Sequence, residues 1–75
     1  MTLIELYNLI LHEYGERRCW ISELAALLGI CKRNAQYLTY ILGYRRGRAK
    51  AITSFSAFAQ DAGVQAIHKC IKTAV

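Results

Sequence analysis

The chain has 75 residues, 55% of them apolar and only 20% charged, which is material for one small core and is not a disordered composition. That length excludes a nucleotide-binding doubly wound sheet, a barrel or a separate substrate domain. Ten Lys and Arg against five Asp and Glu leave a net charge of +5, and so basic a body calls for an anionic partner, nucleic acid or a membrane surface.

At the N-terminus, Thr2 followed by Glu5 has the form of a capping box. Leu3, Leu6, Tyr7, Ile10, Leu11 and Tyr14 then recur at spacings of three and four. This predicts a helix over about 3–14, stopped by Gly15. Residues 17–21 read as a connection, in which Cys19, Trp20 and Ile21 have the makings of a short strand and Trp20 is expected in the core. Ser22 is a good N-cap, with Glu23 in the first turn where the helix dipole favours an acid. Leu24, Ala25, Leu27 and Leu28 follow, and Gly29 ends a helix of under two turns. A third helix is predicted from about Lys32 to Leu42, with Ala35, Leu38 and Leu42 inward, Ile41 on the flank and Gly43 as its stop.

The charge is not spread evenly along these elements. Residues 1–23 carry a net −2 and residues 51–75 a net +1, whereas 24–50 hold Lys32, Arg33, Arg45, Arg46, Arg48 and Lys50 with no acid at all. A cluster of this kind points to one binding face. The longest uncharged stretch, Asn34 to Tyr44, is far too short to span a bilayer. The N-terminus lacks the basic start and unbroken apolar run of a signal peptide, and three cysteines make an odd count that closes no full disulfide framework. A cytoplasmic, nucleoid-associated location with reduced thiols is the expectation.

Residues 22–42 resemble the helix-turn-helix of bacterial DNA-binding regulators. The features that carry the resemblance are the small Ala25, Gly29 four residues later in the turn, apolar Ile30 after it, and then inward Ala35 and Leu38. Cys31 stands where the family commonly has a capping Ser or Thr, and Ala35 where Val or Ile is commoner. The segment from Gly43 to Phe55 looks like a compact wing with Gly47 at its tip and Ala51, Thr53 and Phe55 on one side of a return strand. A plain basic loop is the other reading. With Trp20 and Ile21 the whole resembles a small winged helix over about residues 2–55.

The resemblance implies a mainly α fold: a three-helix helix-turn-helix core, a short β wing or basic loop, and a C-terminal helix. Residues 1–55 would form the DNA-binding domain. Residues 56–75, with Phe58, Ala62, Ala66, Ile67, Cys70 and Ile71, would form a helical extension with a break near Asp61, capped by Ser54 or Ser56. That extension would serve either as core cover or in dimerisation.

It also implies a function: sequence-specific binding of double-stranded DNA, with helix 32–42 in the major groove. Lys32, Arg33, Asn34, Gln36, Tyr37 and Tyr40 would face the bases. Arginine suits guanine, and Asn or Gln suits adenine. Arg45, Arg46, Arg48 and Lys50 would hold phosphates or enter the minor groove, while Arg17 and Arg18 would face solvent. A module this small is expected to act as a homodimer. No catalytic constellation, metal site, cofactor or small-molecule substrate is indicated by any motif. A protein-interaction module of phage or plasmid origin, with an apolar tail that docks on a partner, and a binder of structured RNA are the competing readings.

Overall fold

A computed structural model of the chain describes residues 1–45, 48–49 and 51–71, with Arg48 and Ala49 described by their backbone alone. The protein is mainly helical. Helix α1 runs Leu3–Ile10 and passes directly into a π-helical segment, Leu11–Glu16. Three more helices carry the chain forward: α2 (Ile21–Leu28), α3 (Lys32–Leu42) and α4 (Phe55–Gln60), followed by α5 (Ala62–Cys70). Between α3 and α4 two short strands, β1 (Tyr44–Arg45) and β2 (Arg48–Ala49), pair antiparallel with Tyr44 opposite Ala49.

The helix starts follow local chemistry. The Thr2 hydroxyl accepts the Glu5 N–H at 3.2 Å, and the Glu5 carboxylate accepts the Thr2 N–H at 2.8 Å, so the capping box is complete. These hydrogen bonds, led by the one from the Thr2 backbone, hold the Glu5 carboxyl below its ordinary value. Ser54 caps α4 through the Ala57 N–H, and Asp61 caps α5 through the Val64 N–H. Helix α3 starts at Cys31 with no side-chain cap, in keeping with cysteine in place of Ser or Thr.

Two helix ends conform to the glycine pattern. Gly29 and Gly43 both take left-handed conformations after α2 and α3, with φ of 69° and 103°. Ile30 N–H then reaches back to the Ala25 carbonyl, closing the turn of residues 29–31 between α2 and α3.

Five expectations fail. The first helix does not stop at Gly15, which has no left-handed φ; the helix widens to π and ends at Glu16. Gly15 is there for space, because any Cβ would collide with the phenol of Tyr44. The reversal is made by Arg18 instead, at φ 54°. Residues 19–21 form no strand, for Ile21 already opens α2. Its N-cap is Trp20 and not Ser22: the Glu23 carboxylate accepts the Trp20 N–H at 3.4 Å, and indole offers no acceptor to complete the box. Trp20 is not core but 73% exposed. It stands just outside α2 in extended conformation, while Leu24 and Leu28 take the inward seats of the helix. Finally, Ala51, Thr53 and Phe55 make no return strand, because the chain turns in and Phe55 begins α4.

One core serves every helix. Leu6 and Ile10 of α1, Leu24 and Leu28 of α2, and Ala35, Leu38 and Leu42 of α3 are all fully buried. Phe58 of α4 and Val64 of α5 join the same cluster with no exposed surface, and Ile67 is buried beside them. Burying each such large side chain contributes roughly 1.5–3 kcal/mol. Helix α2 packs chiefly on α3, and α4 on both α1 and α5. The radius of gyration, 10.9 Å, is close to the roughly 11 Å of a compact chain of this length, so the C-terminal helices fold back onto the body. Tyr7 adds ring contacts to Phe55 and Phe58 at 5.5 and 5.4 Å, and its hydroxyl donates to the Thr53 carbonyl at 2.7 Å.

Candidate nucleic-acid interface

Helix α3 organises the basic region because its inward face is fixed so firmly. With Ala35, Leu38 and Leu42 buried, and Thr39 buried with its hydroxyl donating to the Gln36 carbonyl, the opposite face must point outward. Arg33, Gln36 and Tyr40 are spaced three and four apart and all exposed, which makes them one strip along that face. Lys32 is exposed at the helix start. Asn34 is half-buried on the flank.

Tyr37 stands apart from the strip. Its hydroxyl donates to Asp61 Oδ2 at 2.9 Å, and the same oxygen accepts the Val64 N–H at 2.9 Å. The ring lies against Gly63, where a Cβ would come within 2.5 Å of the phenol oxygen. The hydrogen bond to the carboxylate, with some help from burial, pushes the Tyr37 phenol pKa up. Tyr37 therefore ties α3 to the start of α5, and its hydroxyl is engaged within the fold.

Arg45, at the end of β1, is exposed and carries its guanidinium over the Tyr40 ring, 5.6 Å from the centroid. This extends the strip by one cation and orders both side chains, a contact worth about 0.5–1 kcal/mol at such an exposed place. Tyr44, its neighbour, is buried and packs edge-on against Tyr14 at 5.4 Å. Burial, reinforced by Glu16, pushes the Tyr44 phenol pKa up. Arg48 is placed on β2 by its backbone, opposite Arg45, while Arg46, Gly47 and Lys50 lie outside the described residues. Of the remaining arginines, Arg17 and Arg18 are exposed and Arg17 pairs with Glu13 at 3.4 Å.

Lys32, Arg33, Gln36, Tyr40 and Arg45 are thus brought to one side of the molecule by α3 and the strand after it. A feature missed by sequence reasoning is the shallow groove beside this strip, about 680 Å³, lined by Tyr14, Ile21, Gln36, Thr39, Tyr40, Tyr44 and Arg45. Tyr14, in its wall, lies on the π-helical segment, and no spacing rule announces a π segment. Among the described residues no three His, Cys, Asp or Glu gather where they could hold a metal ion. No described helix is long and apolar enough to cross a membrane.

No family model, no curated protein and no solved structure matches the chain. The residues themselves therefore carry the functional argument.

Proposed function

We propose that the protein binds double-stranded DNA in the manner of a helix-turn-helix or small winged-helix regulator, with α3 in the major groove, and that it controls transcription as a homodimer. The observation that carries this reading is the outward strip of Arg33, Gln36 and Tyr40, extended by Arg45, on a helix whose opposite face is locked into the core. Arginine and glutamine one turn apart offer bidentate donors and acceptors to base edges. Lys32 and Arg45 at the two ends supply charge to phosphates. The short antiparallel pairing of β1 and β2 after α3 is where a wing belongs.

The test is selection of bound duplexes from a random library with the full chain, followed by binding of the winner and of scrambled DNA. Recovery of a motif that Arg33→Ala relaxes supports base reading. Equal affinity for winner and scramble, unchanged by Arg33→Ala, removes it.

One observation favours a second reading, a protein-interaction module. Trp20, just before α2, and Leu27, within it, are 73% and 51% exposed, and aromatic anchors are typical of protein interfaces. The C-terminal region is a poor anchor by comparison, because Phe58, Val64 and Ile67 are spent on the core. Loss of a partner on Trp20→Ser with duplex binding absent at low salt would choose this reading over DNA.

A further inference from the structure

The groove next to the α3 strip has a composition that the strip alone does not explain. Tyr40, 55% exposed, supplies an accessible aromatic ring, while Tyr14 and Tyr44, buried and packed edge-on to each other, reach the groove only by their margins; Ile21 supplies an apolar edge, and Gln36 and Arg45 supply the polar rim. Its volume of about 680 Å³ falls within the roughly 300–1,000 Å³ of small-ligand sites. Two backbone irregularities frame the wall that holds Tyr14: the π-helical segment Leu11–Glu16 and the left-handed Arg18. Both are costly conformations that concentrate at functional places. Gly15 lets the Tyr44 phenol approach the π segment, so the two walls are fitted to each other.

We infer that this groove seats a single nucleotide unit, with the base against the exposed Tyr40 ring and the phosphate on Arg45. Aromatic surface binds any base through its π face, and one cation at the rim selects the 5′-phosphate. Arg45 is already placed at the rim over the Tyr40 ring, and that contact removes part of its side-chain freedom before a ligand binds. Gln36 belongs both to the groove and to the outward strip of α3. A polynucleotide lying along α3 would therefore cross the mouth of the groove, and an unpaired nucleotide in it would fall into place. A free mononucleotide offers the same chemistry. In its polynucleotide form the inference rests on the proposed DNA reading; in its mononucleotide form it stands alone.

The experiment uses the full chain in two arms. In the first, thymidine 5′-monophosphate, thymidine and inorganic phosphate are titrated against isotopically labelled protein and followed by NMR. The monophosphate is expected to shift the signals of Tyr14, Thr39, Tyr40 and Tyr44. It should bind at least about tenfold more tightly than thymidine or phosphate alone, the added charge-assisted hydrogen bonds being worth this much. Arg45→Ala should erase the advantage over thymidine while leaving the thymidine shifts in place, a result that a merely structural role for Arg45 does not give. In the second arm, duplexes with one unpaired thymidine or one unpaired abasic residue are compared by anisotropy.

A preference of about tenfold or more for the unpaired thymidine, lost on filling the groove by Thr39→Ile or Ile21→Trp, identifies a nucleotide of bound nucleic acid as the occupant. Groove shifts with monophosphate but equal duplex affinities identify the free nucleotide. Shifts confined to other surfaces, or none, together with equal affinity for the two duplexes, overturn the inference even if perfect duplex binds well. Groove shifts without any duplex binding uphold the seat and remove the DNA reading instead.

Discussion

Gly43→Ala tests how the basic region is fastened to the core. Gly43 has φ 103°, and a Cβ there would stand 3.1 Å from the Ala51 carbonyl carbon and closer still to its oxygen. The clash is with backbone, so no side-chain rotation relieves it. Residues 51–53 would have to move, and they are held by three hydrogen bonds: Thr53 N–H to the Leu42 carbonyl at 2.9 Å, Thr53 Oγ1 to the Ile41 carbonyl at 2.8 Å, and Tyr7 to the Thr53 carbonyl at 2.7 Å. Left-handed strain costs about 1–2 kcal/mol for a non-glycine residue, and each hydrogen bond lost costs about 1 kcal/mol. The expected destabilisation is therefore about 3–5 kcal/mol, against a total of roughly 4–11 kcal/mol for a domain of this size. Gly29→Ala is the control, for it meets a similar left-handed φ of 69° on an exposed turn and should cost about 1–2 kcal/mol. Urea melts followed by circular dichroism give both values. A Gly43→Ala cost no larger than that of Gly29→Ala would refute the argument that the 51–53 segment is clamped against the end of α3.

Other expectations follow from the same geometry. Phe58→Ala, which empties a fully buried ring from the shared core, should cost about 3–5 kcal/mol in the same urea melts; a cost below about 1 kcal/mol would mean that α4 is not an integral part of the core. Tyr37→Phe removes one hydrogen bond to Asp61 while Asp61 still caps Val64, so a loss near 1 kcal/mol is expected, with faster hydrogen exchange confined to α5. Because the Glu5 carboxyl lies below its ordinary value of 4.5 in the folded chain, its contribution is complete above that pH and is lost as the pH falls through the lowered folded value. Amide protection in α1 should weaken over that acid window in the wild type and not in Glu5→Gln. Cys19 is half-buried, and burial, followed by Glu13 and Glu23, pushes its thiol pKa up, whereas Cys31 and Cys70 are exposed. A thiol reagent followed by mass spectrometry should therefore modify Cys31 and Cys70 well before Cys19.

How far the sequence could be read depended on whether a residue's role was local. Helix α3 was legible to the residue, since its ends are set by an uncapped Cys31 and a left-handed Gly43 and its inward face by a regular apolar spacing. The glycine stop at Gly29 was legible for the same reason. Gly15 misled because glycine serves equally as a stop and as a gap, and the Tyr44 ring that needs the gap lies 29 residues away. Trp20 misled because bulk suggests a core seat, while its position one residue before α2 turns it outward. Tyr37 looked available for bases from its place on α3, and only the folded-back α5 brings Asp61 to its hydroxyl. Arg33, Gln36 and Tyr40 stood among six candidates on α3, and only the fold set them apart from Asn34 and Tyr37; the completion of their strip by Arg45, and the groove beside it, needed the fold as well.

The central claim is that α3 and the basic residues after it bind duplex DNA. The direct measurement is anisotropy of a labelled duplex with the full chain across a salt series. Each phosphate neutralised contributes about −0.9 to the slope of log K against log salt. Engagement of phosphates by Lys32 and Arg45 alone gives a slope of about −2, and it should become about one unit shallower with Arg45→Ala. Absence of duplex binding at low salt, or a slope near zero that Arg45→Ala leaves unchanged, would contradict it.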